Sequence, residues 1–301
     1  MRKENAVFME KKKILFVSQE IMPYLPETEM SYIGRYLPQG IQENKREIRA
    51  FMPRYGTVNE RRNQLHEVIR LSGMNIIIDD TDHSLIIKVA SIQSARMQVY
   101  FIDNDDFFHR KGELRDKEGK FYSDNDERAI FFARGVLETV KKLRWPPDLV
   151  HCHGWITSLV PLYLKNAFKE DPIFSKSKVV YSIYDDGFDD KFPANFAKKL
   201  KVDGVNDKDL EVVKDPDFVN LSKLAINMSD AVVQGHKEVN NQVKDYAIAS
   251  GKPFLNYQTR DTYVDEYNKF YDLVMLQDQP AEQLVTEKKK TAKEKKEIVD
   301  E

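Results

Sequence analysis

The feature that most constrains this chain is an alternation of two patterns. Short β-branched or apolar runs at 14–18, 48–52, 99–102, 149–151, 179–183 and 231–234 are separated by longer stretches of helical period. Strands buried on both faces read as such runs, and the helical stretches between them are the crossovers that a parallel sheet requires. The expectation is an α/β fold: a single Rossmann-like domain with a mostly parallel sheet and helices on both faces. The segment 65–89 breaks the rhythm. Its apolar pieces at 68–71, 76–78 and 85–89 are divided by Gly73 and the polar run 79–84, which reads as a hairpin-type excursion.

The clearest helix covers 126–143, where Ala129, Ala133, Val136, Leu137 and Val140 form one broad apolar face and Pro146–Pro147 stop it. A second helix is expected near 155–168, with Pro161 in its first two turns, where proline is tolerated. A strand is expected at 253–257. Beyond it, Tyr263, Tyr267, Phe270, Tyr271 and Val274 recur at helical spacing, a docking face over 263–276. The expected division is a domain over 1–278 and a charged, disordered tail over 279–301, whose mixed lysines and glutamates give no nucleic-acid signal.

Composition narrows the function classes. The formal net charge of −2 favours neither a polyanion nor a membrane surface as partner, and no apolar run approaches the roughly 20 residues of a spanning helix. The four-residue run 14–17 is too short for a secretory signal, and a start at Met9 would make 1–8 a disordered leader. Cys152 is the sole cysteine, which fits a reducing, cytoplasmic setting and an inert buried thiol. No dinucleotide, P-loop, nucleophile-elbow or zinc-protease fingerprint occurs.

Four blocks in order carry a family resemblance: ILFVSQEIMPY (14–24) with YLP (36–38) and AFMPRYG (50–56), YFIDNDDFFHR (100–110), FYSDNDERAIFFARGVLE (121–138) and WPPDLVHCHGWITSLVPLYLK (145–165). A fainter fifth is MSDAVVQ (228–234). Together they resemble the N-terminal half of bacterial glycogen/starch synthases, two-domain GT-B glycosyltransferases. The resemblance implies transfer of glucose from ADP-glucose to an α-1,4-glucan, with the N-terminal domain bearing most of the acceptor surface.

The same resemblance exposes losses. The family's K-x-G-G-L donor loop falls on Pro26, Glu27, Thr28, Glu29 and Met30, so the lysine and both glycines are gone and two carboxylates stand near where a diphosphate would lie. Its H-x-H-D-W-H block falls on His151, Cys152, His153, Gly154, Trp155 and Ile156; Ile156 cannot hydrogen-bond a sugar as the family's histidine does. Its T-I-H-N turn is Ser182, Ile183, Tyr184 and Asp185. About 65 residues follow 231–234, too few for a second Rossmann domain, so the helix at 263–276 is expected to cap a self-contained domain.

The expected ligand crevice is lined by His153, Trp155, Tyr184 and Asp185 at the carboxyl end of the sheet, with no catalytic residue, cofactor or metal assigned. Trp155 serves equally as a sugar-stacking surface or as a core anchor. A metal pair at His151 and His153 lacks a third ligand, and the acidic run Asp185, Asp186, Asp189 and Asp190 lacks ligand spacing, so it reads as a solvated loop. The Asp103–Asn104 and Asp124–Asn125 pairs read as turn and helix-start residues. The leading expectation is a lone synthase-type domain, not self-sufficient in catalysis, that binds an α-glucan or a protein of glycogen metabolism. Its rival is half of a glucosyltransferase completed by a separately encoded donor domain.

Overall fold

The computed structural model describes residues 11–277; the expected leader and tail lie outside them. Ten strands form β1 (Lys13–Ser18), β2 (Glu47–Pro53), β3 (His66–Glu67), β4 (Met74–Ile78), β5 (Thr81–Ile92), β6 (Met97–Asp103), β7 (Leu149–His153), β8 (Lys178–Ile183), β9 (Ala231–Gln234) and β10 (Phe254–Leu255). Their order is β10-β9-β8-β7-β1-β2-β6-β5-β3, with β4 paired to β5 alone. From β10 to β6 every pairing is parallel. The expected α/β architecture is what the chain adopts.

The excursion is a hairpin, as its turn residues indicate, but it is longer than its apolar residues suggest. Thr81–Ser84 are strand rather than loop, paired antiparallel with 75–78 across a turn at Asp79–Asp80. Asp79 has φ of 51°, a left-handed conformation that aspartate tolerates. β5 then adds antiparallel to β6 at the sheet edge.

Two helical layers cover the sheet. One holds α1 (Glu29–Glu43), which touches the last helix of the described chain. The other holds α2 (Asn125–Lys142), α3 (Leu159–Lys165) and α4 (Phe218–Met228), packed side by side. Further on come α5 (Asn241–Ala249) and α6 (Tyr263–Met275), the helix against α1. The second expected helix is broken in two: Trp155–Thr157 form one 3₁₀ turn, and α3 starts at Leu159 with Pro161 in its first turn. The β10 strand is likewise two residues, not five.

Topology fixes where a ligand can enter. The chain runs β1 to β2 to β6 in one direction, then returns to lay β7 on the other side of β1. The connections on either side of that reversal diverge, leaving a crevice beyond the carboxyl ends of β1 and β7.

Candidate functional site

A cleft of about 610 Å³ lies at this switch point. The segment after β1 contributes Gln19 and Glu20, the start of α1 contributes Thr28, Glu29 and Met30, and the segment after β8 contributes Tyr184, Asp185 and Asp186. The 111–117 loop and His236 complete the rim, and Trp155 and Phe121 form the apolar floor. Of the four expected crevice residues, Trp155, Tyr184 and Asp185 line the cleft. His153 does not.

His153 is fully buried behind Tyr184, whose hydroxyl lies 2.9 Å from its Nδ1. Its Nε2 has no hydrogen-bond partner. His151 sits one step deeper, with the two imidazole centroids 3.8 Å apart. Its Nδ1 meets the Tyr271 hydroxyl at 2.6 Å, its Nε2 the Ser182 hydroxyl at 2.7 Å. Burial holds the His153 pKa down at about 3, and burial with the neighbouring imidazole holds His151 well below its ordinary value. Both rings are therefore neutral at physiological pH. With both nitrogens of His151 engaged, the pair has no geometry for a metal.

The aromatic stripe of α6 is the packing face its spacing indicates. Tyr267, Tyr271 and Phe16 of β1 surround the His151 ring, with Phe16 tilted at 47° to it and edge-on to Tyr271. Trp155 is 2% exposed and sits among Phe121, Phe188 and Phe192 at 5.0–5.9 Å between centroids. It is an anchor of the core at the base of the cleft. Ile156 is buried, and its N–H donates to Gln19 Oε1 at 3.2 Å. Cys152 is buried in β7, with its thiol pKa raised by burial.

Gly154 explains one substitution locally. Its φ is 85°, and a Cβ there would lie 2.8 Å from Met30 Sδ and 2.9 Å from Gln19 Cβ. The backbone turn and the Met30 side chain together leave no room for a side chain at this position. After the neighbouring strand, a Cβ on Gly235 would meet the Tyr184 ring at 2.5 Å, so glycine is what lets the Tyr184 ring pass here and reach His153 with its hydroxyl.

The loop 26–30 is held shut by its own residues. Thr28 caps α1: its Oγ1 accepts from Ser31 N–H at 3.0 Å, and Ser31 Oγ accepts from Thr28 N–H at 2.8 Å. Thr28 also donates to Glu20 at 2.6 Å. Arg260, just before α6, pairs with Glu27 at 3.0 Å and Glu29 at 3.1 Å and stacks on Tyr32 at 3.7 Å. The two carboxylates thus share one guanidinium of the same chain, which offsets half of their charge. Local sequence offered no signal for this contact, since 231 residues separate Arg260 from Glu29.

The acidic run after β8 is not one cluster. Asp186 turns inward and accepts the Trp155 N–H at 2.7 Å, whereas Asp190 turns out toward Arg115 at 3.6 Å. Burial, opposed by that hydrogen bond and reinforced by Glu20, pushes the Asp186 pKa up to about 7. Burial raises Glu20 as well. The cleft therefore presents two carboxyl groups that hold protons more readily than free ones. Among the described residues, the one group of three with metal-ligand proximity is Glu60, Asp103 and His109. Lys88 Nζ already lies 2.7 Å from Glu60 and 2.9 Å from Asp103, and Arg54 contacts both, so side-chain cations occupy the place of an ion. Asn104 caps the turn after β6, as expected, while Asp124 forms no cap and pairs with Arg110 at 2.5 Å.

A parallel sheet with its crevice at this switch point, an antiparallel edge hairpin and a last helix crossing back over the first layer define the N-terminal half of a GT-B glycosyltransferase fold. The catalytic domain of starch synthase IV from Arabidopsis thaliana, solved with ADP and acarbose, superposes with a TM-score of 0.66 over 84% of this chain and 53% of that one, at 16% identity. The model of the starch synthase catalytic domain family matches residues 13–251, and the chain belongs to that family. Glycogen synthase of Chlorobium limicola is 38% identical over 173 residues, covering 57% of this chain and 35% of the relative. That of Chlorobaculum tepidum is 34% identical over 235 residues, covering 77% and 47%. The chain spans about a third to a half of the length of these relatives. No helix among the described residues is long and apolar enough to cross a membrane.

Proposed function

We propose that this synthase-type domain does not by itself transfer glucose and acts by binding an α-glucan through the cleft formed by Trp155, Tyr184 and Asp185. The observation that carries the reading is the closure of the 26–30 loop. Arg260 holds Glu27 and Glu29, Thr28 and Ser31 cap α1 from within, and Met30 fills the space above Gly154. A diphosphate drawn to a helix N-terminus needs free N–H groups and positive potential. Here a glutamate and a reciprocal side-chain cap already occupy that end. Glucan hydroxyls, by contrast, suit a cleft rich in carboxylates and lysines over an aromatic floor.

Electrophoresis of the native protein through gels containing glycogen tests the reading. Retardation that grows with glycogen concentration and weakens in Asp185→Ala is expected; unaltered migration at high glycogen overturns the glucan assignment. Incorporation of labelled glucose from ADP-glucose or UDP-glucose by the purified chain would overturn the non-catalytic part. Incorporation only after lysate is added would favour the rival reading, a half-enzyme completed by a separately encoded donor domain.

A further inference from the structure

At the opposite edge of the sheet, where the parallel strands begin, the chemistry reverses. Two adjoining hollows of about 720 and 380 Å³ share Arg49, Gln98 and Tyr100 as their common wall. Arg46 and Arg96 line the larger, and Arg70 and Lys142 line the smaller. Among the described lining residues the countercharge is one carboxylate, Glu47, and it is engaged by the Trp145 indole N–H.

Two of these guanidinium groups are held in place with donors to spare. Arg49 lies between the rings of Tyr100 and Trp145, 5.6 and 5.1 Å from their centroids, and donates from Nη1 to the Tyr100 hydroxyl at 2.6 Å. Its Nε is buried with no partner. Arg46, with a side chain 10% exposed, gives Nε to Asn268 and Nη2 to Asp272, both at 2.8 Å. Its Nη1 is likewise buried and unpartnered. Buried donors on a fixed cation are costly to leave unsatisfied, and a planar guanidinium fork matches the oxygens of a phosphoryl group.

We infer that this groove binds a phosphorylated sugar, with the phosphate against Arg46, Arg49 and Arg96 and the sugar hydroxyls against Gln98 and Ser91. A long polyanion fits poorly, because the positive groups are confined to one groove on a chain of net charge −2. The site is independent of the glucan cleft, which lies at the opposite end of the sheet beyond β1, β7 and β8.

Isothermal titration of the full chain at matched ionic strength would use glucose 1-phosphate, inorganic phosphate and glucose. Saturable binding of glucose 1-phosphate, about tenfold or more tighter than either of the others, is expected. Equal binding of inorganic phosphate overturns the sugar part of the assignment, and no saturable binding of either phosphate compound overturns the site. Arg96→Gln removes an exposed charge without disturbing the core and is expected to weaken binding about tenfold. Arg49→Lys keeps the charge but not the fork and should weaken it too. Unchanged binding in both variants, with folding verified by circular dichroism, would also overturn the site. Glycogen retardation should be the same in Arg96→Gln as in the parent, which separates this outcome from that of the cleft.

Discussion

The switch-point crevice has two halves built from the same strand ends. Toward α6, His151, His153, Tyr184, Tyr267 and Tyr271 form a dry, neutral, hydrogen-bonded stack with almost no exposed surface. Toward the 111–117 loop, the exposed Asp185 and the partly shielded carboxyls of Glu20 and Asp186 face an open cleft. One half is core and the other is an open cleft. The division runs through Tyr184, whose hydroxyl closes on His153 while its ring forms part of the cleft wall. A tyrosine at position 184 therefore acts as the partition between the two halves.

The largest way to break this comparison is Tyr271→Ala. It removes a fully buried aromatic ring and leaves His151 Nδ1 without its partner. Large-to-small changes of this kind cost about 3–5 kcal/mol. Urea unfolding should show a lowered midpoint at unchanged slope, with Tyr271→Phe recovering most of the loss. A cost near that of a surface substitution would mean that α6 does not seal the inner half.

Next in size is Gly154→Ala. The added methyl meets Met30 and Gln19 and sits at positive φ, two effects that together cost on the order of 2 kcal/mol. Pairing it with Met30→Ala should recover the packing share and leave the backbone share. Full additivity of the two losses would show that Met30 does not fill the space beside Gly154.

How much of this was legible beforehand depends on range. The strands from 14–18 to 231–234 stand within about two residues of their observed bounds, because a strand buried on both faces is written in contiguous apolar residues. The α6 stripe was readable for the same local reason, through its period. The polar residues 81–84 gave no such signal, since their pairing with β4 comes from hairpin geometry. Trp155 could be placed only by seeing Phe121, Phe188 and Phe192 converge on it. Asp186 was indistinguishable from Asp185, Asp189 and Asp190 as a letter, because its difference is the single N–H it accepts. Glu20 and Arg260 went unnoticed. The first lies two residues beyond a legible strand, and the second acts across nearly the whole chain.

The pH dependence separates the halves by sign. His153 holds a pKa of about 3 in the folded chain and near its ordinary 6.5 when unfolded. Between those values the unfolded state binds the extra proton, so stability is full above about pH 6.5 and falls with acidification. His151 acts in the same direction. Asp186, raised from 3.8 to about 7, acts oppositely: its contribution is full below about pH 4 and is lost as the pH rises toward 7. Each one-proton difference is worth up to about 1.4 kcal/mol per pH unit. Asp186→Asn should therefore steepen the loss of stability between pH 6 and 4, and His153→Phe should flatten it. Identical curves for parent and Asp186→Asn would place that carboxyl in ordinary solvent.

The smallest expected effect bears most directly on the closed loop. Arg260 is 43% exposed, so its ion pairs with Glu27 and Glu29 are worth only about 0.2–1 kcal/mol to the fold. Arg260→Ala should hardly move the unfolding midpoint. It should still raise hydrogen exchange at the first-turn amides of α1, because opening the loop is a local event that global stability does not report. The internal cap between Thr28 and Ser31 remains in that variant, so the exchange increase should be confined to residues 27–30 and absent from the rest of α1. Thr28→Ala in the same background would remove the second restraint and extend the increase into the helix. If Arg260→Ala leaves these amides unchanged while Thr28→Ala alone exposes them, the cap holds the loop and the arginine merely offsets half of its charge. The closure would then be a property of the α1 start itself, and the segment before α6 would have no part in it.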